Sequence, residues 1–350
     1  MNQPETILQP DELGPAVERA GKVLEQLGRV LLGQSELHRM VLVGMLSRGH
    51  ILLEGVPGVG KTALIKALGG VLNLGFARVQ FTPDLMPGDI LGTHILQQTQ
   101  SGEREMVFRQ GPVFTNILLA DEINRASPKT QSALLEAMQE RCVTLLGTTR
   151  TLPEPFFVMA SQNPIELEGT YPLPEAQLDR FLFKLRVTGA DADVLNEIIL
   201  TRRRGEPPPI TWSMTAEQLA SVFAVMDRVY LPHAVSRYIS RLVAATHASA
   251  SEAPESVRKY VSYGASPRAA IAMAEAARAA ALLAGRPTVG FEDVRAVAPA
   301  VLNHRLILNY KARFDQVDTF AVIEELIGSI EETGLDLPGD VSVREKAGRA

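Results

Sequence analysis

The sequence predicts an α/β protein in which a helix-covered parallel sheet is followed by a small all-α domain. Three observations carry that prediction. Short continuous apolar runs alternate with stretches of helical spacing over the first half of the chain, as in strands buried on both faces. Two interruptions built around polar or glycine turns read as β-hairpins. Beyond Val187 the composition changes to TRRRGEPPPITW and then to Ala-rich helical patterning.

Composition sets the outer limits. At ~150 residues per domain, 350 residues make roughly two domains, each able to bury a core. Apolar residues are 46% of the chain and charged residues 21%, which excludes a disordered polymer. Thirty-five basic residues against 40 acidic give a net charge of −5, so non-specific binding to a phosphate backbone has no overall electrostatic support. The single cysteine, Cys142, excludes an internal disulfide, and no Cys and His group has metal-ligand spacing. The start, MNQPETILQPDELG, lacks the basic and apolar regions of a signal peptide, and the most apolar long stretch, 269–285, is interrupted by Glu275 and Arg278. A soluble, cytoplasmic protein without membrane insertion is expected.

In order, Val17, Val23, Leu24, Leu27, Val30 and Leu31 predict an amphipathic helix over 15–32, and a second helix covers 35–48. Apolar runs at 51–53, 76–81, 117–120, 156–160 and 181–187 supply five strands, with helices at 62–72 and 128–140 between them. Residues 93–98 and 105–109 flank the turn Gln-Thr-Gln-Ser-Gly, and 143–146 and 149–152 flank Gly147, so both hairpins project from the core. The domain division therefore runs 1–188 for the sheet-bearing core with its N-terminal helix, 189–210 for a linker stiffened by three successive prolines, and 211–338 for the helical part. Helices there are expected at 215–229, 232–250, 267–284 and 291–302, and the tail 339–350 is expected to fray.

Gly55-Val-Pro57-Gly58-Val59-Gly60-Lys61-Thr62 fits G-x-x-x-x-G-K-[ST], between a buried strand and a helix. Glycines there let main-chain N–H groups wrap phosphates, Lys61 reaches the β- and γ-phosphates, and the Thr62 hydroxyl takes Mg²⁺. Asp121 and Glu122 end the apolar run Ile-Leu-Leu-Ala, at the strand edge where open α/β sheets bind ligands. Asp121 would hold Mg²⁺ and Glu122 would polarise the attacking water; an acidic pair capping the following helix is the competing reading. Asn163 ends another apolar run and could contact the γ-phosphate or the water, although Asn-Pro is also an ordinary turn starter. Arg180 and Arg268 could stabilise charge on a transferring phosphoryl group or form surface ion pairs.

Taken in order, GVPGVGKT, ILLADEINRA, ASQNPIELEGTYPLPEAQLDRF and GASPRA resemble the AAA+ ATPases, and among them closely the MoxR family, over about residues 30–325. That resemblance implies an αβα core with a helical lid. It makes 93–109 the helix-2 insert and 143–152 the pre-sensor-1 hairpin, with Lys61 and Thr62 as Walker A and Asp121 and Glu122 as Walker B. It makes Asn163 sensor 1, Arg180 the arginine finger and Arg268 sensor 2, and it sets Gly33 and Gln34 near the adenine. It further implies ATP and Mg²⁺ as cofactors and a hexameric ring in which Arg180 reaches the adjacent nucleotide, leaving open whether Arg268 acts in its own subunit or the next. Chaperone-like action on a client protein, often one carrying a von Willebrand factor A domain or a metal cofactor, is implied as well. Phe108 and Phe114 are the client-contact candidates, with packing onto the core as the alternative.

Two rival readings stand beside this one. A nucleic-acid motor needs basic residues interleaved with aromatics, but Arg104 and Arg109 are cancelled by Glu103 and Glu105, and Arg202, Arg203 and Arg204 sit in the linker. A nucleotide-gated scaffold without turnover has no use for a water-polarising carboxylate such as Glu122.

Overall fold

A computed structural model describes residues 7–56, 58–98, 104–164, 169–202 and 207–332. Pro57, Glu103, Arg203, Arg204 and the tail 339–350 lie outside the described residues. Helix α1 (Pro10–Val30) begins earlier than the periodicity suggests, because Pro10 opens it and the Glu12 carboxylate accepts from the Gln9 main-chain N–H at 3.1 Å. Helix α2 (Ser35–Leu46) leads into β1 (Ile51–Glu54), and α3 (Lys61–Val71) follows it. The chain continues through β2 (Phe76–Gln80), a short α4 (Pro87–Leu91), the hairpin β3 (Gly92–Gln98) and β4 (Arg104–Gln110), then β5 (Ile117–Asp121). Next come α5 (Pro128–Glu140), the hairpin β6 (Cys142–Leu145) and β7 (Thr148–Thr151), β8 (Phe157–Gln162), α6 (Glu175–Leu178) and β9 (Phe183–Arg186).

The five core strands are all parallel in the order β2-β5-β8-β1-β9. Alternate residues face opposite layers. Ile51, Leu53, Ile117, Leu119, Phe157 and Met159 join an apolar cluster with α1, α2 and α3, whereas Leu52, Leu118, Ala120, Val158 and Ala160 pack with Leu134, Leu135 and Met138 of α5. Both faces are covered, which is why these strands read as unbroken apolar runs.

Past the sheet, the segment expected as a bare linker contains α7 (Ala192–Thr201), capped by the Asp191 carboxylate accepting from the Val194 N–H at 2.8 Å. The proline run follows it without regular structure. Helices α8 (Ala216–Met226), α9 (His233–Ala245), α10 (Glu255–Tyr260), α11 (Pro267–Leu283), α12 (Phe291–Leu302), α13 (Tyr310–Phe314) and α14 (Thr319–Ser329) form the helical part. A two-stranded ribbon, β10 (Val261–Tyr263) with β11 (Ile307–Leu308), was not expected. Buried residues of α1 to α3 and of α8, α9, α11, α12 and α14 belong to one continuous apolar cluster, so the helical part is packed against the core.

The charged joint between them lies just past α12. The Arg305 side chain is 3% exposed. It donates from Nε to Asp179 Oδ1 at 2.8 Å, from Nη2 to the Phe181 carbonyl at 2.7 Å and from Nη1 to the Leu182 carbonyl at 3.1 Å. Asn303 adds a bond from Nδ2 to the Lys184 carbonyl at 3.0 Å. Removing one partner of such a buried pair leaves the other without water or counter-charge. Arg305→Met is expected to destabilise the protein by about 3 kcal/mol, read as a lowered midpoint in urea unfolding; a midpoint equal to wild type would refute the joint.

Candidate nucleotide site

Parallel strands deliver their C-terminal ends to one edge of the sheet, and that edge carries most of the expected site. Gly55, Gly58 and Val59 follow β1, and Gly60, at φ +89°, caps α3. A side chain at Gly60 would also strike Leu31 Cδ1 at 2.5 Å, so the left-handed turn and the packing both require glycine. Lys61 is 8% exposed and its Nζ donates to the Gly55 carbonyl at 2.6 Å; Thr62 is the next residue of the helix. Burial lowers the Lys61 pKa against the opposing pull of Asp121 and Glu122.

Asp121 and Glu122 stand beside this loop at the end of β5. Asp121 Oδ1 accepts from the Ser161 hydroxyl at 2.5 Å, and Oδ2 accepts from Arg78 Nη2 at 2.8 Å. Glu122 has φ +55°, a costly backbone for a non-glycine residue, and its N–H donates to Ser161 Oγ at 2.9 Å. Its carboxylate accepts from Gln80 Nε2 at 2.6 Å and from Arg125 Nη1 at 3.0 Å. Asn163 is buried directly after β8, where Gln162 pairs with Glu54 and its carbonyl accepts from the Gly55 N–H at 3.2 Å. The strand register thus brings Lys61, Thr62, Asp121, Glu122 and Asn163 to one edge.

Gly33 and Gln34 form the turn between α1 and α2. Gly33 has φ +75°, and a Cβ on it would lie 2.4 Å from Val194 of α7; Gln34 Nε2 donates to the Thr188 carbonyl at 2.9 Å. The unexpected helix therefore covers this turn.

The two arginines sit elsewhere. Arg180 precedes β9, and Arg268 opens α11 with Nη1 3.8 Å from Asp179 Oδ2, which also accepts from Ser266 Oγ at 3.0 Å. Both line a cavity of about 350 Å³ with His50, Met138, Leu182 and Glu275. His50 precedes β1 and is wedged by bonds from Nε2 to the Met138 carbonyl and to Nδ1 from the Val158 N–H, its pKa pushed down to about 4 by burial. His50, Arg180 and Leu182 all lie at the N-terminal ends of the strands. Arg180 and Arg268 are grouped together, but at the opposite edge of the sheet from Lys61.

The hairpin aromatics take the packing alternative. The Phe108 ring is 5.8 Å from Phe114 and 5.3 Å from His94, with Arg150 of the second hairpin 4.0 Å above it, and Phe114 packs against the core. The most exposed apolar residues of the hairpins are others: Leu96 and Met106, paired across the first hairpin at 59% and 56% exposure, and Leu146 at the second turn.

Sequence reasoning missed Arg78, Gln80, Arg125 and Ser161. Arg78 and Gln80 are two apart on a strand and so share a face, and Gln80 is paired with Asp121 in register. That pattern becomes readable once β2 is placed beside β5.

The ATPase family associated with various cellular activities (AAA) matches residues 50–183, and the AAA lid domain matches residues 254–326. The chain is 44% identical over 318 residues to "Chaperone MoxR1" of Mycobacterium tuberculosis, covering 91% of this chain and 83% of that protein. It is 30% identical to "Protein MoxR" of Methylorubrum extorquens over 90% of this chain and 94% of that one. A crystal structure of an ATPase candidate from Cytophaga hutchinsonii superposes with a TM-score of 0.83 at 40% identity, covering 92% of this chain and 97% of its own.

Ser161 holds both acidic residues, through the Asp121 carboxylate and the Glu122 N–H. Ser161→Ala is expected to lower ATP turnover about tenfold, or ~1.4 kcal/mol, with nucleotide binding retained. Turnover within twofold of wild type would remove Ser161 from the site.

Proposed function

This chain belongs to the MoxR family of AAA ATPases, and from that premise we propose that it works as a ring of identical subunits that uses ATP hydrolysis to remodel a protein client. The loop from Gly55 to Gly60 would hold the nucleotide's phosphates through its main-chain N–H groups, and Lys61 would supply positive charge to the β- and γ-oxygens. Asp121 and Thr62 offer a carboxylate and a hydroxyl, the hard oxygen donors that Mg²⁺ prefers. Among the described residues no group of three or more His, Cys, Asp or Glu forms a metal cage, which suits an ion completed by phosphate oxygens and water. Such an ion would neutralise charge on the transferring phosphoryl group. Glu122 would accept the proton of the attacking water, and Asn163 would orient that water or the γ-phosphate.

The observation that carries the ring is the separation of the arginines from the P-loop. Between His50 and Gly55 run the four residues of β1, roughly 13 Å of strand. Arg180 and Arg268 begin at the far end of that span, and Arg268 is turned toward Asp179. A head-to-tail neighbour would carry them to the next subunit's phosphates, so we read both as acting in trans.

Client contact falls to the two hairpins, on their exposed apolar residues Leu96, Met106 and Leu146 rather than on Phe108 or Phe114. The relative's designation as a chaperone supports a protein client. Among the described residues no helix is long and apolar enough to cross a membrane.

Arg180→Ala and Glu122→Gln subunits are each expected to hydrolyse ATP at least about 100-fold more slowly than wild type, and their mixture is expected to recover part of the rate, because each intact Glu122 can meet an intact Arg180. Co-assembled mixtures without recovery would refute the shared site. Glu122→Gln should also trap a client protein in ATP, and adding Leu96→Asp with Met106→Asp should abolish capture. The same pair of substitutions in a chain with Glu122 intact should leave basal hydrolysis unchanged; undiminished capture would exclude the hairpin.

A further inference from the structure

Two apolar helix surfaces of this chain stand open to solvent, and the charges beside them are opposite. The first is on α7. Val194 and Ile198 are half-buried, Val194 against Gly33, while Leu195, Ile199 and Leu200 are 49%, 74% and 76% exposed. Asp193 and Glu197, one turn apart, lie beside Leu200 on the helix surface, and neither forms an ion pair among the described residues. Asp191 is occupied in capping the helix, and Arg202 at its end donates to the Arg29 carbonyl at 2.8 Å. The outward side of α7 is therefore apolar and acidic.

The second is on α13, in the helical part. Asn309 fixes this helix: its Oδ1 accepts from the Lys311 and Ala312 N–H groups at 2.9 and 3.3 Å, and its own N–H donates to the Tyr260 carbonyl at 2.8 Å. Ala312 is buried beneath, whereas Tyr310 and Phe314, one turn apart, are 79% and 87% exposed. A cavity of about 520 Å³ opens beside them, bordered by Leu308, Ala312 and Val317, with room for aliphatic side chains. Lys311 and Arg313 form no ion pair among the described residues, and the nearby Asp315 carboxylate is already paired with Lys259 at 3.0 Å. This surface is aromatic and basic.

From this complementarity we propose that α13 of one subunit docks against α7 of the next, aromatic on aliphatic and basic on acidic. The inference rests on the ring reading and names the surfaces that would hold the ring. Both patches are exposed in the same subunit, so neither covers the other. The contact joins two different patches, which lets each subunit offer one to either neighbour, as a closed ring demands. Chain connectivity agrees with it. Helix α7 follows β9 from the C-terminal edge of the sheet and covers the Gly33 turn, whereas β11 runs into α13 and its partner β10 leads to Arg268. A neighbour that brings Arg268 to this subunit's nucleotide edge therefore carries α13 with it. Burial of the rings and aliphatic chains supplies most of the attraction, and the charges select partner and orientation. A single-stranded nucleic acid would satisfy α13 but leave α7 uncovered.

Charge reversal tests the pairing. Asp193→Lys with Glu197→Lys sets cation against cation at every contact, and Lys311→Glu with Arg313→Glu sets anion against anion. All four side chains are exposed, so urea unfolding midpoints are expected at the wild-type value. Each doubly substituted chain is expected to remain monomeric in ATP by sedimentation velocity, at the concentration where wild type assembles. An equimolar mixture of the two is expected to recover the assembly, because the reversed α7 of one chain meets the reversed α13 of the other and the remaining contacts are those of wild type. Damage to the fold of either chain could not be repaired by mixing. Variants that assemble as wild type does, or a mixture of folded chains that stays monomeric, overturn the contact. Labelled single-stranded DNA that binds wild type and is lost with Lys311→Glu and Arg313→Glu, while assembly is retained, would overturn it as well and give the α13 face to nucleic acid. A wild-type chain that stays monomeric in ATP would bring down the ring reading itself, and the contact with it.

Discussion

The Arg305 guanidinium is buried between the helical region and the leading end of β9, where it donates to Asp179 and to the main-chain oxygens of Asp179, Phe181, Leu182 and Val301. A buried cation is tolerated only when its donors are met, so the segment from Asp179 to Leu182 is fixed against the end of α12. Burial lowers the Arg305 pKa, and the Asp179 carboxylate opposes that shift. The remaining oxygen of Asp179 receives Ser266 and Arg268, which sets the start of α11 beside Arg180. One buried contact thus fixes where the helical region meets the sheet and which arginines are neighbours.

From that placement follows the division of labour between the two edges of the sheet. The glycines of the loop after β1, Lys61, Asp121, Glu122 and Asn163 belong to the C-terminal edge, because parallel strands all deliver their last residues there. Arg180 precedes a strand rather than following one, so it belongs to the other edge. Chain connectivity, more than side-chain chemistry, is what separates the arginines from the P-loop of their own subunit.

How much of this was legible in the sequence depended on whether a signal was local. The five strands were readable because burial on both faces makes an unbroken apolar run, and the P-loop because its spacing is fixed by main-chain geometry. Helix α7 was not: its Leu195, Ile199 and Leu200 are exposed, so no core-facing period marks it, and the nearby prolines argue for linker. The ribbon β10–β11 pairs two or three residues across more than 40 positions, beyond any local pattern. Arg78 and Gln80 lie some 40 residues from Asp121 and Glu122 in the chain, and only the β2–β5 register brings them together. Phe108 takes the packing alternative through Arg150 of the other hairpin, a contact that no local pattern shows.

The net charge of −5 also acquires a spatial meaning. The cavity at the N-terminal edge is lined by Arg48, Arg141, Arg180, Arg268 and Arg305 against Asp179 and Glu275. Arg48 is committed to Asp227 and Arg305 to Asp179, which leaves Arg141, Arg180 and the loosely paired Arg268 to give this face its cationic character. The opposite edge carries Asp121 and Glu122 and, on the proposed reading, the phosphates of ATP. A twofold dimer through the arginine face would set cation against cation, whereas a head-to-tail contact brings it to the phosphates that the proposed reading places at the edge of the next copy. On the proposed reading, repeated contacts of that kind close into a ring when the rotation permits, and each contact would complete one nucleotide site. A chain that is nearly neutral overall can therefore favour one mode of assembly over the other, because its arginine face lies at one edge of the sheet and, on the proposed reading, the triphosphate binds at the other.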